Sequence, residues 1–172
     1  MRIYIAAPLF SQAEKEFNLT VDRALRRLGL DTYLPQRDAG EAAPLIRAGA
    51  DEHTVRARLF TADCAAVGAC ELFLLVLDGR VPDEGACFEL GLAWAAGKTC
   101  FGLQTDCRRF GGTDSNNLMI DYALGGGISR SLDELTAALA AHLRDPRSNA
   151  AADGSGAEGA QPRTPTAGGK PG

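Results

Sequence analysis

The chain has 172 residues, of which 45% are hydrophobic and 23% are charged, and its net charge is -4. This length fits one domain with a sizeable core, and the acidic balance argues against a protein that coats nucleic acid. No run reaches the roughly 20 apolar residues of a membrane span, and the first residues lack a signal-peptide pattern. We therefore expect a cytoplasmic protein.

Hydrophobic patterning divides the first half of the chain into alternating strands and helices. Residues 3–9 predict a buried strand, and a capping box at Ser11 and Glu14 predicts the start of a helix that ends at Gly29. Residues 32–34 then predict a short strand. The polar and Ala/Gly-rich connection over residues 36–49 has a length that is typical of binding loops.

The second half continues the alternation. Helices are predicted over residues 51–67 and 84–96, and a last helix begins near Ser131. Strands are predicted over residues 72–77 and 99–103. The first of these is apolar throughout, which is typical of a strand buried on both faces of a parallel sheet. The pattern predicts an α/β fold, namely an open, doubly wound, flavodoxin-like sheet of about five strands with helices on both faces.

The two ends of the chain differ in composition. Residues 1–144 carry the predicted domain, whereas residues 145–172 are rich in Pro, Gly and Ala and contain no Val, Ile, Leu, Phe, Tyr or Trp. Such a segment cannot bury enough apolar surface to offset the entropy of ordering. We expect residues 145–172 to be a disordered tail.

Metal-binding residues are scarce. The chain has five Cys without a C-x-x-C pair, and only two His. A structural zinc site and a disulfide framework are therefore not expected. Several of the Cys lie in apolar runs, where a reduced core thiol is the simplest interpretation.

The segment after the third predicted strand holds an unusual carboxylate. Asp83 suits the N-cap of the following helix. Glu89 lies within that helix among small and apolar residues, and the pattern allows either a solvated polar stripe or a cleft. Gly85 and Gly91 each weaken a helix by roughly 1 kcal/mol relative to Ala, which favours a close approach of a ligand or of another backbone.

The motif around these residues resembles the signature of the nucleoside 2-deoxyribosyltransferases. That signature is D-x-G-x-x-x-E-x-G-x-A, and here it covers residues 83–93. Further matches follow the family's order along residues 1–144, namely Ile3-Tyr4-Ile5, Pro35-Gln36, Asp63 and Asn117-Leu118-Met119. The chain departs from the family pattern in its tail, since many members end soon after the last helix.

The resemblance implies a reaction in which carboxylates act without a metal or cofactor. Glu89 would be the nucleophile that attacks C1′ of a 2′-deoxynucleoside, and a second nucleobase would then displace it with retention. Tyr4 would orient Glu89 by a hydrogen bond. The start of the helix is expected to help keep Glu89 ionised.

The resemblance also implies roles for the remaining matched residues. Asp63 would protonate the departing base, since neighbouring carboxylates raise each other's pKa. Asp83 would bind the sugar hydroxyls and the base region beside Gly85, and Gln36 would bind a base edge. In the family, Asn117 and Met119 come from a neighbouring subunit. This implies a homo-oligomer built from dimers, up to a hexamer, whose partners are 2′-deoxynucleosides and free nucleobases.

Two other functions fit parts of the sequence. One is an N-glycoside hydrolase of 2′-deoxynucleosides or of their 5′-monophosphates. The related enzymes that act on the monophosphates carry a Gly-Ser-Ile-Arg-Gly-like phosphate loop after the first strand. Residues 6–11 contain neither Gly nor Arg, which favours free nucleosides. The second alternative is a non-catalytic flavodoxin-like nucleotide-binding or signalling module. A phospho-receiver of that kind needs an acidic pair after the first strand, and Ala6-Ala7-Pro8 does not supply one.

Overall fold

A computed structural model describes residues 1–107, 116–125 and 127–145. The described strands are β1 (Arg2–Ala6), β2 (Asp31–Tyr33), β3 (Leu72–Val76), β4 (Thr99–Leu103) and β5 (Ile128–Ser129). The described helices are α1 (Gln12–Arg27), α2 (Pro35–Asp38), α3 (Ala42–Arg47), α4 (Glu52–Ala69), α5 (Glu84–Ala95), α6 (Leu118–Ala123) and α7 (Leu132–Arg144). Apart from Asp145, the predicted tail lies outside these residues. No helix in the described ranges is both long and apolar enough to cross a membrane.

The strands form one parallel sheet in the order β2-β1-β3-β4-β5, which confirms the predicted doubly wound, flavodoxin-like fold. Side chains alternate across this sheet because successive residues of a strand point to opposite faces. In β1, Ile3 and Ile5 join the core under α1 and α7, whereas Tyr4 and Ala6 join the core under α4 and α5. The sheet therefore has a separate hydrophobic core on each face.

The strand order reverses between β1 and β3. From β1 the chain first adds β2 on one side, and it then crosses back to add β3 on the other side. At such a point the connections that leave the two strands diverge, and a crevice opens beyond their carboxyl ends. This crevice is where the fold favours a ligand site.

The caps predicted for the helices are confirmed. Ser11 Oγ accepts from the Glu14 amide at 3.2 Å, while the Ser11 amide donates to Glu14 Oε2 at 2.7 Å, so both halves of the capping box at α1 are present. Ser131 Oγ accepts from the Glu134 amide at 3.1 Å at the start of α7. Each cap satisfies an amide that has no partner within its own helix.

Three predicted features differ from the structure. Strand β1 ends at Ala6 instead of Leu9, and Pro8 has no amide hydrogen with which to continue the pairing. The connection over residues 36–49 is not irregular, because it contains α2 and α3. These helices are too short for an apolar period to show in the sequence. The same is true of the two-residue strand β5, which the sequence did not locate.

An ion-pair network centred on the buried Asp22 ties α2 to α1. Asp22 accepts from Arg26 Nε at 3.1 Å, from Arg37 Nη1 at 2.8 Å and from the Thr32 hydroxyl. Burial raises the pKa of Asp22, but the hydrogen bonds from Thr32, Arg37 and Arg26 outweigh it, and the pKa is lowered. The network holds α2, whose first residue is Pro35, against the crevice at the end of β1.

Candidate active site

Asp83 is the last residue of the connection between β3 and α5. It is the N-cap of that helix, and its Oδ2 accepts from the Ala86 amide at 2.8 Å. Asp, Ser, Thr and Asn favour this position because their side chains satisfy the free amides of the first turn. The cap fixes the direction of α5, and with it the position of Glu89 one and a half turns further along.

Glu89 is bound to the centre of the sheet through Tyr4. The Tyr4 hydroxyl donates to Glu89 Oε1 at 2.7 Å, and the Tyr4 ring is fully buried between Tyr33 and Phe73. The ring centroids lie 5.2 Å from Tyr33 and 5.6 Å from Phe73, and both pairs are stacked. Of the two environments that the sequence allowed for Glu89, the structure therefore has the cleft.

Asp63 reaches the same cleft from α4. Its Oδ1 accepts from the Tyr33 hydroxyl at 3.1 Å, so a second tyrosine binds a second carboxylate. The helical pattern of residues 51–67 gave no sign of this bond, because its partner lies in β2. Tyr33 is a site residue that was not predicted from the sequence.

The three carboxylates line one cavity of about 170 Å³. Its walls are formed by Ala7, Leu9, Phe10, Pro35, Asp63, Asp83, Gly85, Ala86 and Glu89. None of these described lining residues is a Lys or an Arg. Leu9 and Phe10 were not predicted as site residues, although their place directly after β1 could have indicated them. The Phe10 side chain is exposed and offers a flat apolar surface beside the carboxylates.

Burial controls the electrostatics of this cavity. It raises the pKa of Glu89 to about 7; the Tyr4 hydrogen bond opposes the rise, and the charges of Asp63 and Asp83 add to it. The sequence predicted that the helix start would help to keep Glu89 ionised, but the net effect of the cavity is a raised pKa. The helix-terminus effect falls off within the first turn, and Glu89 lies beyond it. Burial also raises the pKa of Asp63, against the hydrogen bond from Tyr33.

The tyrosine that binds Glu89 is a permanent donor. Burial and the adjacent Glu89 charge raise the pKa of Tyr4 far above neutrality, so its hydroxyl stays protonated. One oxygen of Glu89 is thus occupied by Tyr4. A buried carboxylate with a pKa near neutrality and one hydrogen-bonded oxygen is suited to nucleophilic attack or to acid–base chemistry.

A sequence profile described as "Nucleoside 2-deoxyribosyltransferase" matches residues 3–158, which is most of the chain. The chain belongs to the nucleoside 2-deoxyribosyltransferase family. The family relationship that the motif indicated is thereby confirmed, and with it an enzyme that acts on N-glycosidic bonds. No curated protein sequence matches the chain significantly.

Solved structures share the deoxyribosyltransferase fold. A conserved protein from Enterococcus faecalis V583 is 28% identical, with a TM-score of 0.65, and the alignment covers 81% of this chain and 96% of that one. A 2-deoxyribosyltransferase from Bacillus psychrosaccharolyticus is 22% identical, with a TM-score of 0.63 and coverages of 79% and 90%. A 2-desoxiribosyltransferase from Leishmania mexicana is 20% identical, with a TM-score of 0.57 and coverages of 82% and 97%.

Gln36, which matches the Gln of the deoxyribosyltransferase pattern, does not line the cavity. Its Nε2 donates to the Lys15 carbonyl at 3.1 Å, and its Oε1 accepts from Asn18 Nδ2 at 3.0 Å. Both ends of the amide are therefore bound to α1. Each end keeps a second hydrogen-bonding position, so the expected role of Gln36 in binding a base edge stays a prediction.

Asn117 and Met119 also lie outside the cavity of their own chain. Asn117 is the N-cap of α6 and accepts from the Met119 amide at 2.9 Å. Together with Leu118 and Tyr122, Met119 forms an exposed apolar face on α6. This position leaves the two residues free to reach another subunit.

The two glycines of the signature differ in their surroundings. A Cβ on Gly85 would lie 3.1 Å from Asp83 Oδ2, which is a side-chain atom and not the ligand or the second backbone that the sequence suggested. A Cβ on Gly91 would meet no described atom within 4 Å. No described backbone approaches Gly91, and the approach of a ligand there stays a prediction.

The cysteines are less uniformly buried than the sequence suggested. Cys70 and Cys100 are buried, Cys64 and Cys87 are partly exposed, and Cys107 is exposed. Burial raises the pKa of Cys64 beside Asp63, which disfavours its thiolate form. Among the described residues, no group of three or more His, Cys, Asp or Glu could hold a metal ion.

Proposed function

We propose that the protein transfers 2-deoxyribose from one nucleobase to another through a covalent deoxyribosyl ester on Glu89. The observation that carries the proposal is the hydrogen bond of 2.7 Å between the Tyr4 hydroxyl and Glu89 Oε1 at the wall of the cavity. It holds one oxygen of the carboxylate and leaves Oε2 for the sugar. Family membership supports chemistry at an N-glycosidic bond.

In the first half-reaction, the ionised Glu89 attacks C1′ and the bond between C1′ and the base nitrogen breaks. The electron pair of that bond goes to the base, which takes a proton from Asp63. A protonated base leaves far more readily, so the acid contributes roughly 10²- to 10⁴-fold to the rate. The transition state resembles an oxocarbenium ion, as in retaining glycosidases, and the anionic cavity walls stabilise its positive charge.

In the second half-reaction, a nitrogen of the incoming base attacks C1′ and the ester bond to Glu89 breaks. The electrons return to the Glu89 carboxylate, and the proton of the incoming base goes to Asp63. Two inversions give net retention at C1′ and predict ping-pong kinetics. Asp83 and Gly85 would face the sugar, and Gln36 the base.

The cavity favours free nucleosides over their 5′-monophosphates. Three carboxylates line it, and none of its described lining residues is a cation. A phosphate placed there would meet like charges without a compensating Lys or Arg. The loop over residues 6–11 contains no Gly or Arg to bind it.

Hydrolysis is the alternative outcome for the same intermediate, with water in place of the second base. A CMP N-glycosidase from Clostridium botulinum shares the fold at 19% identity, with a TM-score of 0.50 and coverages of 81% of this chain and 98% of that one. The fold is thus compatible with either acceptor. What decides between them is whether a base or a water reaches the deoxyribosyl ester.

Incubation of the protein with 2′-deoxyinosine and adenine tests the proposal. Formation of 2′-deoxyadenosine supports transfer, whereas release of hypoxanthine at a rate independent of adenine supports hydrolysis. Mass spectrometry of the intact protein with 2′-deoxyinosine alone should show a deoxyribosyl adduct. The adduct and the exchange should both be lost in Glu89→Ala, and unchanged turnover of that variant would refute the role of Glu89.

We also propose that the enzyme is a homo-oligomer built from dimers, up to a hexamer, in which Asn117 and Met119 complete a neighbour's cavity. Support comes from the apolar face of α6, where Leu118, Met119 and Tyr122 are exposed. Exposed apolar side chains grouped on one face are typical of a subunit interface. Nucleoside salvage in the cytoplasm fits the five cysteines, which are all free thiols.

A further inference from the structure

We propose that Tyr33 is the positioning residue that holds Asp63 for proton transfer to and from the nucleobase. This inference rests on the proposed function, since it assigns a partner to the acid of that reaction. The evidence for it is that two tyrosines on neighbouring strands bind two carboxylates on neighbouring helices.

The two tyrosines lie opposite each other on neighbouring strands. Strands β1 and β2 pair in parallel, and the register aligns Tyr4 with Tyr33. Both side chains therefore point to the same face, towards α4 and α5. Their rings stack with centroids 5.2 Å apart and an angle of 18° between the planes. Each ring fixes the position of the other.

Each tyrosine binds a different carboxylate of the cavity. Tyr4 donates to Glu89 Oε1 at 2.7 Å, and Tyr33 donates to Asp63 Oδ1 at 3.1 Å. Among the described residues, Asp63 Oδ2 has no hydrogen-bond donor. Tyr33 thus binds one oxygen of Asp63 and leaves the other to carry the exchanged proton.

Several ionisable groups surround Asp63. They are Tyr33 of β2, Tyr4 of β1, Glu89 of α5 and the adjacent thiol of Cys64, while Asp83 lines the same cavity. The Arg2 guanidinium lies 5.6 Å from the centroid of the Tyr33 ring. Burial raises the pKa of Asp63, and the Tyr33 hydrogen bond works in the opposite direction because it stabilises the carboxylate. Tyr33 itself remains a donor, since burial and the Asp63 charge raise its pKa.

Tyr33 remains a hydrogen-bond donor to Asp63 in both half-reactions. When the base departs, the bond between Asp63 Oδ2 and its proton breaks and an N–H bond forms on the base. The new carboxylate charge is then stabilised by the Tyr33 hydroxyl on Oδ1. When the next base enters, its proton returns to Oδ2. Tyr33 neither gains nor loses a proton.

The test compares Tyr33→Phe with the wild type on two substrates. In 2′-deoxyinosine the base needs a proton in order to leave, whereas in 7-methyl-2′-deoxyguanosine it is already cationic and leaves as a neutral molecule. We expect single-turnover release of hypoxanthine to fall about tenfold, which is the factor of one hydrogen bond to an ionisable group, with little change for the methylated substrate. Equal losses on both substrates would overturn the proposal, because they would indicate a merely structural role.

The pH profile supplies a second readout. Removal of the Tyr33 hydroxyl raises the pKa of Asp63 further, so the limb of the pH–rate profile that reports the protonation of Asp63 should move to higher pH. The matched variant Tyr4→Phe removes the equivalent bond from Glu89. That variant should move the limb that reports Glu89, since it raises the pKa of the nucleophile. Identical pH–rate profiles for Tyr33→Phe and the wild type would contradict the assignment.

A direct titration separates this inference from the proposed function. The Asp63 side-chain carboxyl can be followed by carbon NMR in the wild type and in Tyr33→Phe, with Asp63→Asn to assign the signal. We expect an upward shift of the pKa in the variant, and an unchanged pKa would refute the positioning role whatever the enzyme catalyses. If the wild type releases no base from either nucleoside, the proposed function fails, while the titration still decides the role of Tyr33. Thermal melts show whether each variant is folded.

Discussion

Gly85 lies against the carboxylate of Asp83, such that a Cβ at position 85 would be only 3.1 Å from Asp83 Oδ2. The same oxygen accepts a hydrogen bond from the Ala86 amide, and Asp83 also lines the cavity. Asp83 therefore contributes both to the start of α5 and to the wall of the proposed active site. A residue larger than glycine at position 85 would press on that oxygen.

Gly85→Ala should lower the rate of base exchange without stabilising the protein. Replacement of Gly by Ala within a helix usually adds about 1 kcal/mol, but here it displaces a cap of similar value. The shifted Asp83 should lower kcat/KM roughly 10- to 100-fold, as small displacements in active sites do. The matched control is Gly91→Ala on the same helix, where the added Cβ meets open space and should raise stability by about 1 kcal/mol. Equal stabilisation by both changes, with activity intact, would contradict this account.

Glu89→Gln should stabilise the protein more at alkaline pH than at acidic pH. The pKa of Glu89 is about 7 in the folded chain, against an ordinary value of 4.5. Between these values the folded state binds more protons than the unfolded state, so this group lowers stability as the pH rises. Gln cannot ionise, and its carbonyl can still accept from Tyr4. We expect the free energy of unfolding of the variant, relative to that of the wild type, to increase by on the order of 2 kcal/mol between pH 4.5 and 7. Urea unfolding measures this difference. A constant difference would indicate that Glu89 is not desolvated.

Asp22→Asn should destabilise the domain through α2. Asp22 is buried and accepts from Thr32 and from two partly exposed arginines, of which Arg37 also pairs with Asp38, so loss of its charge weakens the network at a cost of about 1–2 kcal/mol. The pKa of Asp22 is lower in the folded chain than its ordinary value of 3.8. Asp22 therefore stabilises the fold above pH 3.8, and this stabilisation is lost as the pH falls through the pKa of the folded state. The defect should therefore shrink in acid. The control is Asp31→Asn, which breaks the exposed pair with Arg2 and should cost below about 1 kcal/mol in chemical unfolding.

Subunit complementation tests the shared cavity. Glu89→Ala lacks the nucleophile and Asn117→Ala lacks the proposed neighbour's contact, so each variant alone should have little exchange activity. Unfolding and refolding them as a mixture should create cavities with Glu89 from one protomer and Asn117 from the other. Base exchange above that of either variant is the expected result. A mixture no more active than its components would place Asn117 outside the neighbour's site.

Much of the fold and part of the site could be predicted from local sequence signals. The helix caps at Ser11 and Ser131, the apolar strand β3 and the glycine after α1 each depend on residues that are neighbours in the chain. Asp83 and Glu89 belong to the same class, since a cap and a carboxylate in an apolar helix are visible within one short segment. The helices α2 and α3 and the strand β5 could not be predicted, because they are too short to show a period.

The sequence alone determined the order of the elements, the α/β class, the family motif and the carboxylate Glu89. Helix caps, hydrophobic periods and short motifs depend on residues that are close together in the chain. The family resemblance also implied that Tyr4 binds Glu89, and that hydrogen bond is present. Only the tertiary structure decided that Tyr33 binds Asp63, that Gln36 is bound to α1, and that burial raises the pKa of Glu89 to about 7. These properties arise between segments that are distant in the chain. They depend on the register of β1 and β2 and on the burial of the cleft, and no local pattern of residues encodes either quantity.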